Sequence, residues 1–299
     1  MGVSISSLTN PNASSRDALE QEFLSDGAVS PRRLLALLRR PTFVISAVIL
    51  LWWIFAAIFW HVLGLNPNAL GAKILAAPSW SNPFGTDNLG RSVLARAMAG
   101  GDTALVIGPL GAILATLLGS ALGVIAGYFR GWVDTVLMRI FDVLVVLPPI
   151  IFLIVLVTGF GASTPSLVIC IGIVFAPGIA RIIRAAVLGE MGKGYVTSAK
   201  LQGESALWIM TRELVPNVWP TILIQVTLSL ASAILMTATL SFLGLGAQPP
   251  SSDWGLSITN NLGEIQIAWW TVLFPALAVA SVVVSVQLIA DNIREVTAR

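Results

Sequence analysis

The chain has 299 residues, of which 56% are hydrophobic and only 11% are charged. Because soluble domains carry about 25% charged residues, this composition excludes a soluble protein and predicts an all-α polytopic membrane protein. The net charge of +2 is too small to indicate binding to nucleic acid.

The first 42 residues are interpreted as a cytoplasmic N-terminal tail. Residues 1–30 are polar and include four acids, unlike a signal peptide, and residues 31–40 alternate arginine with leucine as in an amphipathic interfacial helix. The transmembrane domain is predicted over 43–299, and its first span over 43–62. His61, the single histidine, has no second ligand nearby, so no metal site is expected.

Residues 64–101 are polar and interrupted by prolines, which predicts an external loop. Residues 82–96 read Asn-Pro-Phe-Gly-Thr-Asp-Asn-Leu-Gly-Arg-Ser-Val-Leu-Ala-Arg. Thr86 or Asp87 is expected to cap a helix that begins at Asn88. On that helix the residues expected to face the membrane are Leu89, Val93 and Met98, and those expected to face water are Arg91 and Arg96. The string resembles the Pro-Phe-Gly-Thr-Asp-x-Leu-Gly-Arg-Asp-Val signature of peptide and nickel permeases.

The second span is predicted over 104–126, the third ends at about 160, and the fourth is predicted over 167–188. The second carries small residues at four-residue steps, Gly111, Ala115, Gly119, Gly123 and Gly127, which predicts a helix-packing ridge. Pro148-Pro149 and Pro177 predict kinks in the third and fourth spans. Asp134, Arg139 and Asp142 are expected to pair on one helix face as interfacial anchors.

Residues 190–217 form a charged, helix-prone island. Two short helices are expected around Gly203, the second capped by Ser205 and ended by Pro216. The order of small residues, Gly and Pro-Asn resembles the cytoplasmic coupling loop of ATP-binding-cassette (ABC) importer permeases, although that loop usually begins Glu-Ala-Ala. The resemblance assigns contact with an ATPase to Thr197, Ser198, Ala199, Gly203, Glu204, Ser205, Pro216 and Asn217.

The fifth span, predicted over 219–243, has a polar stripe on one face. Its members are Gln225, Ser229, Ser232, Met236 and Thr239. Two interpretations stay open: hydrogen bonds between helices, or one wall of a translocation pathway.

The external loop predicted over 244–267 contains Gly-Leu-Gly-Ala-Gln-Pro-Pro-Ser-Ser-Asp-Trp-Gly, which resembles a second loop motif of the peptide permeases. Asp253 stands where that family more often has a small polar residue or proline. A sixth span follows over 268–290. With six spans, 14 of the 17 basic residues lie on the side of the termini and of residues 190–217. The positive-inside rule therefore predicts that both termini are cytoplasmic.

Taken together, the three motifs resemble the C-type permease subunits of dipeptide, oligopeptide and nickel importers. The resemblance implies the six-helix fold of type I ABC importer permeases in a bacterial inner membrane. It also implies a second permease, two ATPases that bind ATP and Mg²⁺, and an external substrate-binding protein. The chain itself lacks a phosphate-binding loop and a catalytic constellation, so no enzyme and no bound cofactor are expected. The alternative is a secondary transporter or channel that works without ATPases.

Overall fold

The structure, a computed structural model, describes residues 37–71 and 73–297. The tail expected over 1–30 and most of the amphipathic helix expected over 31–40 lie outside these residues. The described residues contain helices and loops and no β-strand, in agreement with the all-α prediction. The helices are α1 Pro41–Phe59, α2 Val93–Ala99, α3 Gly101–Phe129, α4 Gly131–Val146, α5 Pro149–Phe160, α6 Thr164–Glu190, α7 Gly194–Leu201, α8 Ala206–Trp208, α9 Val215–Phe242, α10 Trp254–Asn261 and α11 Trp270–Thr297. A π-helical turn, Ile209–Leu214, joins α8 to α9, and a 3₁₀ turn, Leu262–Glu264, follows α10.

Five helical segments of the described chain are long and apolar enough to cross a membrane: α1, α2 with α3, α6, α8 with α9, and α11. The segment formed by α4 and α5 passes the same test only when the two helices are taken together, and it bends by 96° between Val146 and Pro149. Proline lacks the amide hydrogen that a continuing helix needs, so the break expected at Pro148-Pro149 is confirmed.

The small-residue ridge of α3 packs against α6. A Cβ placed on Gly111 would lie 2.7 Å from Ile171, and one placed on Gly127 would lie 2.7 Å from Val187. Both pairs of residues are separated by the same 60 positions, so α3 and α6 run parallel. The sequence prediction of a packing ridge is confirmed.

This parallel arrangement determines how many times the chain crosses. α6 begins beside the start of α3, whereas α3 ends at the opposite side of the protein. Between the end of α3 and the start of α6 the chain must therefore cross back over the length of α3, which is about 25 helical residues or ~38 Å at 1.5 Å per residue. The only helices available for this return among the described residues are α4 and α5. The bent pair therefore acts as the third of six spans, and the fold is that of an all-α polytopic membrane protein.

Two details differ from the sequence predictions. Asp134 and Asp142 do not pair with Arg139 on their own helix but with Arg184 and Arg181 of α6. The expectation was wrong because packing between α4 and α6 brings longer-range partners closer than those one turn away. In addition, α11 extends to Thr297, seven residues beyond the end predicted for the sixth span at position 290.

Candidate functional site

The coupling segment, residues 190–217, begins with α7 and a tight helix-ending turn. Gly203 has φ +80°, its N–H donates to the carbonyl of Lys200 at 3.1 Å, and the N–H of Glu204 donates to the carbonyl of Ala199 at 3.2 Å. This pair of bonds is the Schellman motif, which needs a left-handed residue at the glycine position. The expected break at Gly203 is confirmed.

The second half of the coupling segment is continuous with a span. Ser205 caps α8, since its Oγ accepts from the N–H of Trp208 at 3.3 Å, as expected. The expectation that Pro216 ends the helix is wrong. Pro216 lies in the first turn of α9, directly after the π-helical turn, where a helix needs few backbone donors. Both Pro216 and Asn217 are thus helical residues.

The inner side of the coupling segment is buried against the ends of the spans. Val196 of α7 and Leu214 of the π-helical turn are fully buried. They share one apolar cluster with Val124 of α3, Val187 of α6 and Val218 of α9. Because closely packed interiors deform little, displacement of α7 is passed to all three of these helices.

Polar contacts that sequence analysis did not identify hold the start of the coupling segment. The Tyr195 hydroxyl donates to Glu190 Oε2 at 2.6 Å, and Lys193 Nζ donates to Glu190 Oε1 at 2.8 Å. Burial and the hydrogen bond to Glu190 raise the pKa of Tyr195, so the hydroxyl keeps its proton. Lys200 lies 5.4 Å from the centre of the Tyr128 ring at the end of α3.

The outer side of the segment is open to solvent. Of the predicted contact residues, those exposed are Thr197, Ser198, Gly203, Ser205, Pro216 and Asn217; Glu204 is half-buried and Ala199 is buried. Three apolar side chains that the sequence analysis did not single out are also exposed here: Leu201 at 84%, Leu207 at 68% and Trp208 at 37%. The segment thus presents a mixed apolar and polar surface around a fixed turn.

The side chains of the polar stripe of α9 differ in how deeply they are buried. Gln225 and Ser229 are buried, and Ser229 Oγ lies 3.4 Å from Thr116 Oγ1 of α3. Ser232 is exposed and Thr239 is half-buried; each hydroxyl bonds a carbonyl of its own helix. Met236 is also half-buried and packs against an apolar cluster. One part of the stripe therefore joins helices, whereas Ser232 is free to face another surface.

A groove of about 540 Å³ lies between α3 and the start of α9, beside the coupling segment. Its walls are almost wholly apolar and include Leu117, Ile222 and Leu223. Ser120 also lines it, and the Ser120 Oγ is buried without a hydrogen-bond partner. Among the described residues, no group of three or more His, Cys, Asp or Glu side chains is placed to hold a metal ion.

The two loop motifs form a layer at the other end of the spans, which we call the motif layer (residues 73–92 and 244–264). Asp87 does not cap a helix at Asn88. Its Oδ1 accepts from the backbone N–H groups of Leu89 and Arg91 at 2.9 and 2.8 Å, closing a turn that contains Gly90 at φ +77°. A left-handed residue prevents a helix here, so α2 begins only at Val93, capped by Ser92.

The two arginines expected to face water are buried instead. Arg91 donates to Asp87 Oδ2 at 2.7 Å, and Arg96, only 3% exposed, donates to the carbonyl of Ser251 at 2.7 Å. Val93 and Met98, expected to face the membrane, are buried too, and only Leu89 of that set is exposed. For Arg96 the expectation failed because the acceptor of its shortest hydrogen bond, the carbonyl of Ser251, lies 155 residues further along the chain.

The second motif supplies the other side of this buried cluster. Asp253 caps α10 by accepting from the N–H of Leu256 at 3.0 Å and is 1% exposed. Burial raises the pKa of Asp253, and the charge of Arg96 opposes that shift. Trp254, also 1% exposed, donates its indole N–H to the carbonyl of Ala97 at 2.7 Å. The two motifs are therefore one structural unit, joined directly to the start of α3.

Comparison with known proteins agrees with these features. The family described as "binding-protein-dependent transport system inner membrane component" matches residues 119–296. A putative peptide transport system permease protein of Brucella suis is 37% identical over 87% of this chain and 88% of that protein. The dipeptide transport system permease protein DppC of Alkalihalophilus pseudofirmus is 35% identical over 84% of both chains. A probable D,D-dipeptide transport system permease protein of Escherichia coli is 34% identical over 85% of this chain and 86% of that protein. The chain therefore belongs to the family of inner membrane components of binding-protein-dependent transport systems, the permease subunits of ABC importers.

Proposed function

We propose that this chain forms part of the translocation pathway of an ATP-driven importer for di- or oligopeptides. The support for peptides is that relatives with 34 to 37% identity over most of both chains are named as peptide and dipeptide permeases. The proposed partners are a second permease subunit, two ATPase subunits that bind ATP and Mg²⁺, and an external substrate-binding protein.

The single observation that carries the mechanism is the apolar cluster beneath the coupling segment. Val196 of α7, Val124 of α3, Val187 of α6 and Leu214 before α9 pack together. An ATPase that pushes on the exposed face of the segment moves the ends of three spans at once. Rocking of these spans opens the pathway to one side of the membrane and then to the other.

We infer that both termini and the coupling segment are cytoplasmic, because 14 of the 17 basic residues lie on that side. The motif layer then faces the binding protein. An impermeant thiol reagent should label a cysteine at Ser81, which is exposed in the motif layer, but not one at Ser205 in intact cells. Ser252 is unsuitable as the outer reporter because it is only 6% exposed. Labelling at Ser205 but not at Ser81 would reverse the orientation.

The coupling role is tested by Gly203→Trp. A side chain at φ +80° costs roughly 1–2 kcal/mol, and it places bulk on the exposed turn. Because a Cβ there meets nothing within 4 Å, the spans themselves should stay intact. Membrane insertion should therefore be normal, whereas the complex either loses its ATPase subunits or hydrolyses ATP without uptake.

The matched control is Gly192→Trp. Gly192 is exposed in the same segment, has open space around its Cβ and has no positive φ. Pull-down of ATPase subunits, ATP hydrolysis and peptide uptake are measured for both variants. Normal values of all three for Gly203→Trp would remove the segment from its coupling role. Peptide uptake by the purified chain without ATPases would instead favour a secondary transporter or channel.

A further inference from the structure

α4 is attached to the rest of the protein by unusually few contacts. Of its 16 residues only Phe141 is buried, whereas α6 beside it has ten buried residues. Its outward side chains are strongly exposed, among them Trp132 at 78%, Val143 at 69% and Val146 at 81%. Within this chain, apolar packing thus gives α4 much less support than α6 receives.

Both ends of α4 are points where the backbone departs from helical geometry. At the first end, Arg130 and Gly131 have consecutive positive φ values of 52° and 57°. A positive φ is uncommon for a residue with a side chain, and such strain is found where a segment changes conformation. At the other end, Pro148-Pro149 interrupts the helix and α5 departs at 96°. α4 is therefore a straight rod between two breaks.

Two ion pairs hold this rod to α6. Arg184 makes a two-bond contact with Asp134, in which Nη2 lies 2.5 Å from Oδ2, and Arg181 Nη2 lies 2.9 Å from Asp142 Oδ1. The Arg181 contact is incomplete, because its buried Nε–H has no acceptor in the described structure. Both pairs are partly exposed to solvent, and such ion pairs, unlike interlocked side chains, separate without repacking a core.

The clamp lies next to the coupling segment. Arg184 is one turn before Val187, which belongs to the apolar cluster beneath α7. Any displacement of the coupling segment reaches this part of α6 and hence both arginines. We propose that α4 is a hinged arm, clamped to α6 by the Arg184–Asp134 and Arg181–Asp142 pairs, and that movement of the coupling segment opens and closes the clamp during transport. The part of this inference that concerns ATP rests on the proposed function.

The experiment measures the position of α4 directly. Spin labels are placed on exposed residues, through Val143→Cys on α4 and Leu235→Cys on α9, in a Cys170→Ala background of the complete complex. Without nucleotide, the distance distribution should be narrow. Trapping with ATP and vanadate should shift it. Asp134→Asn combined with Asp142→Asn should broaden it without nucleotide and reduce uptake.

Two further variants separate the clamp from general damage. Arg40→Gln removes an ion pair of comparable exposure between α1 and α11 and should leave the distance distribution unchanged. Asp134→Arg with Arg184→Asp re-forms one pair with its charges exchanged and should restore the narrow distribution if the pair is the clamp. Loss of the narrow distribution in Arg40→Gln, or no recovery in the exchanged variant, would overturn the assignment.

The outcomes also distinguish this inference from the proposed function. If the ATPases bind and uptake is normal, but the α4 distance is the same with and without trapped ATP, the hinged arm is refuted and the importer function stands. If no ATPase binds, the importer proposal fails. In that case the α4–α9 distance distribution without nucleotide still tests the clamp. It is compared between the unmodified complex and the variant with both Asp134→Asn and Asp142→Asn, and an unchanged distribution refutes the clamp.

Discussion

The packing of α3 on α6 depends on the absence of a side chain at Gly123, and Gly123→Ala tests this. A Cβ at this position would lie 2.6 Å from the carbonyl oxygen of Ala180, 2.9 Å from Ile183 Cβ and 3.1 Å from the backbone N of Arg184. Two of these three neighbours are backbone atoms, which a rotamer change cannot move. The two helices must therefore separate along part of their shared face.

The expected cost follows from two opposing effects. Overpacking of a close contact costs about 1–3 kcal/mol, and separation also loosens the neighbouring contacts of the ridge. Replacing a helical glycine by alanine gains at most ~1 kcal/mol of helix propensity in a soluble host. We therefore expect Gly123→Ala to destabilise the protein by about 1–2 kcal/mol in total. Gly178→Ala in α6 is the control, because a Cβ there meets nothing within 4 Å.

The assay is the temperature at which half of the detergent-solubilised complex is lost, measured by size exclusion after heating. Gly123→Ala should lower this temperature by several degrees, whereas Gly178→Ala should leave it unchanged or raise it. Equal midpoints for the two variants would show that the close approach of α3 and α6 does not limit stability. The parallel packing from which six crossings are inferred would then lose its main energetic support.

Other predictions concern the motif layer and the polar stripe. Arg96→Met should lower thermal stability by about 1–3 kcal/mol, because it leaves the buried carbonyl of Ser251 without its donor and removes the positive charge that acts on the buried Asp253; a normal melting midpoint would contradict this. Burial raises the pKa of Asp253 above its ordinary value of 3.8, so the folded protein binds this proton more tightly than the unfolded chain does. The free energy of unfolding therefore falls as the pH rises from 3.8 through the raised pKa of the folded state. The melting midpoint of Asp253→Asn should therefore rise relative to that of the unmodified protein as the pH increases from about 4. A difference between the two midpoints that does not change with pH would contradict the raised pKa of Asp253. Ser229→Leu should lower stability, since Ser229 is buried against α3, whereas Ser232→Leu should reduce uptake at normal stability; the opposite result would exchange their roles.

Local features were predictable from the sequence. The glycine ridge, the turn at Gly203 and the Ser205 cap each depend on residues within a few helical turns, and each is found where spacing or residue type placed it. Arg96 was misplaced because its acceptor, the carbonyl of Ser251, comes from a loop that no local pattern links to it. Asp134 was assigned the wrong partner for the same reason. These two errors are long-range polar contacts, in which the burial of a charge depends on a distant segment. The errors at Pro216 and Asp87 are instead local, and each concerns where a helix begins or ends.

The helices that join the two ends of the protein explain how events on one side can influence the other. The α2–α3 segment spans 37 residues, from Val93, directly after the first part of the motif layer, to Phe129 next to the coupling segment. The segment from α8 to α9 also spans 37 residues, from Ala206 to Phe242, and its far end contacts the motif layer so closely that a Cβ on Gly255 would lie 2.2 Å from the carbonyl of Ala238. At 1.5 Å per residue each helical segment is ~55 Å long. Because both helical segments pack in both layers, we expect a change at the coupling segment to be accompanied by a change in the motif layer, where the binding protein is proposed to dock.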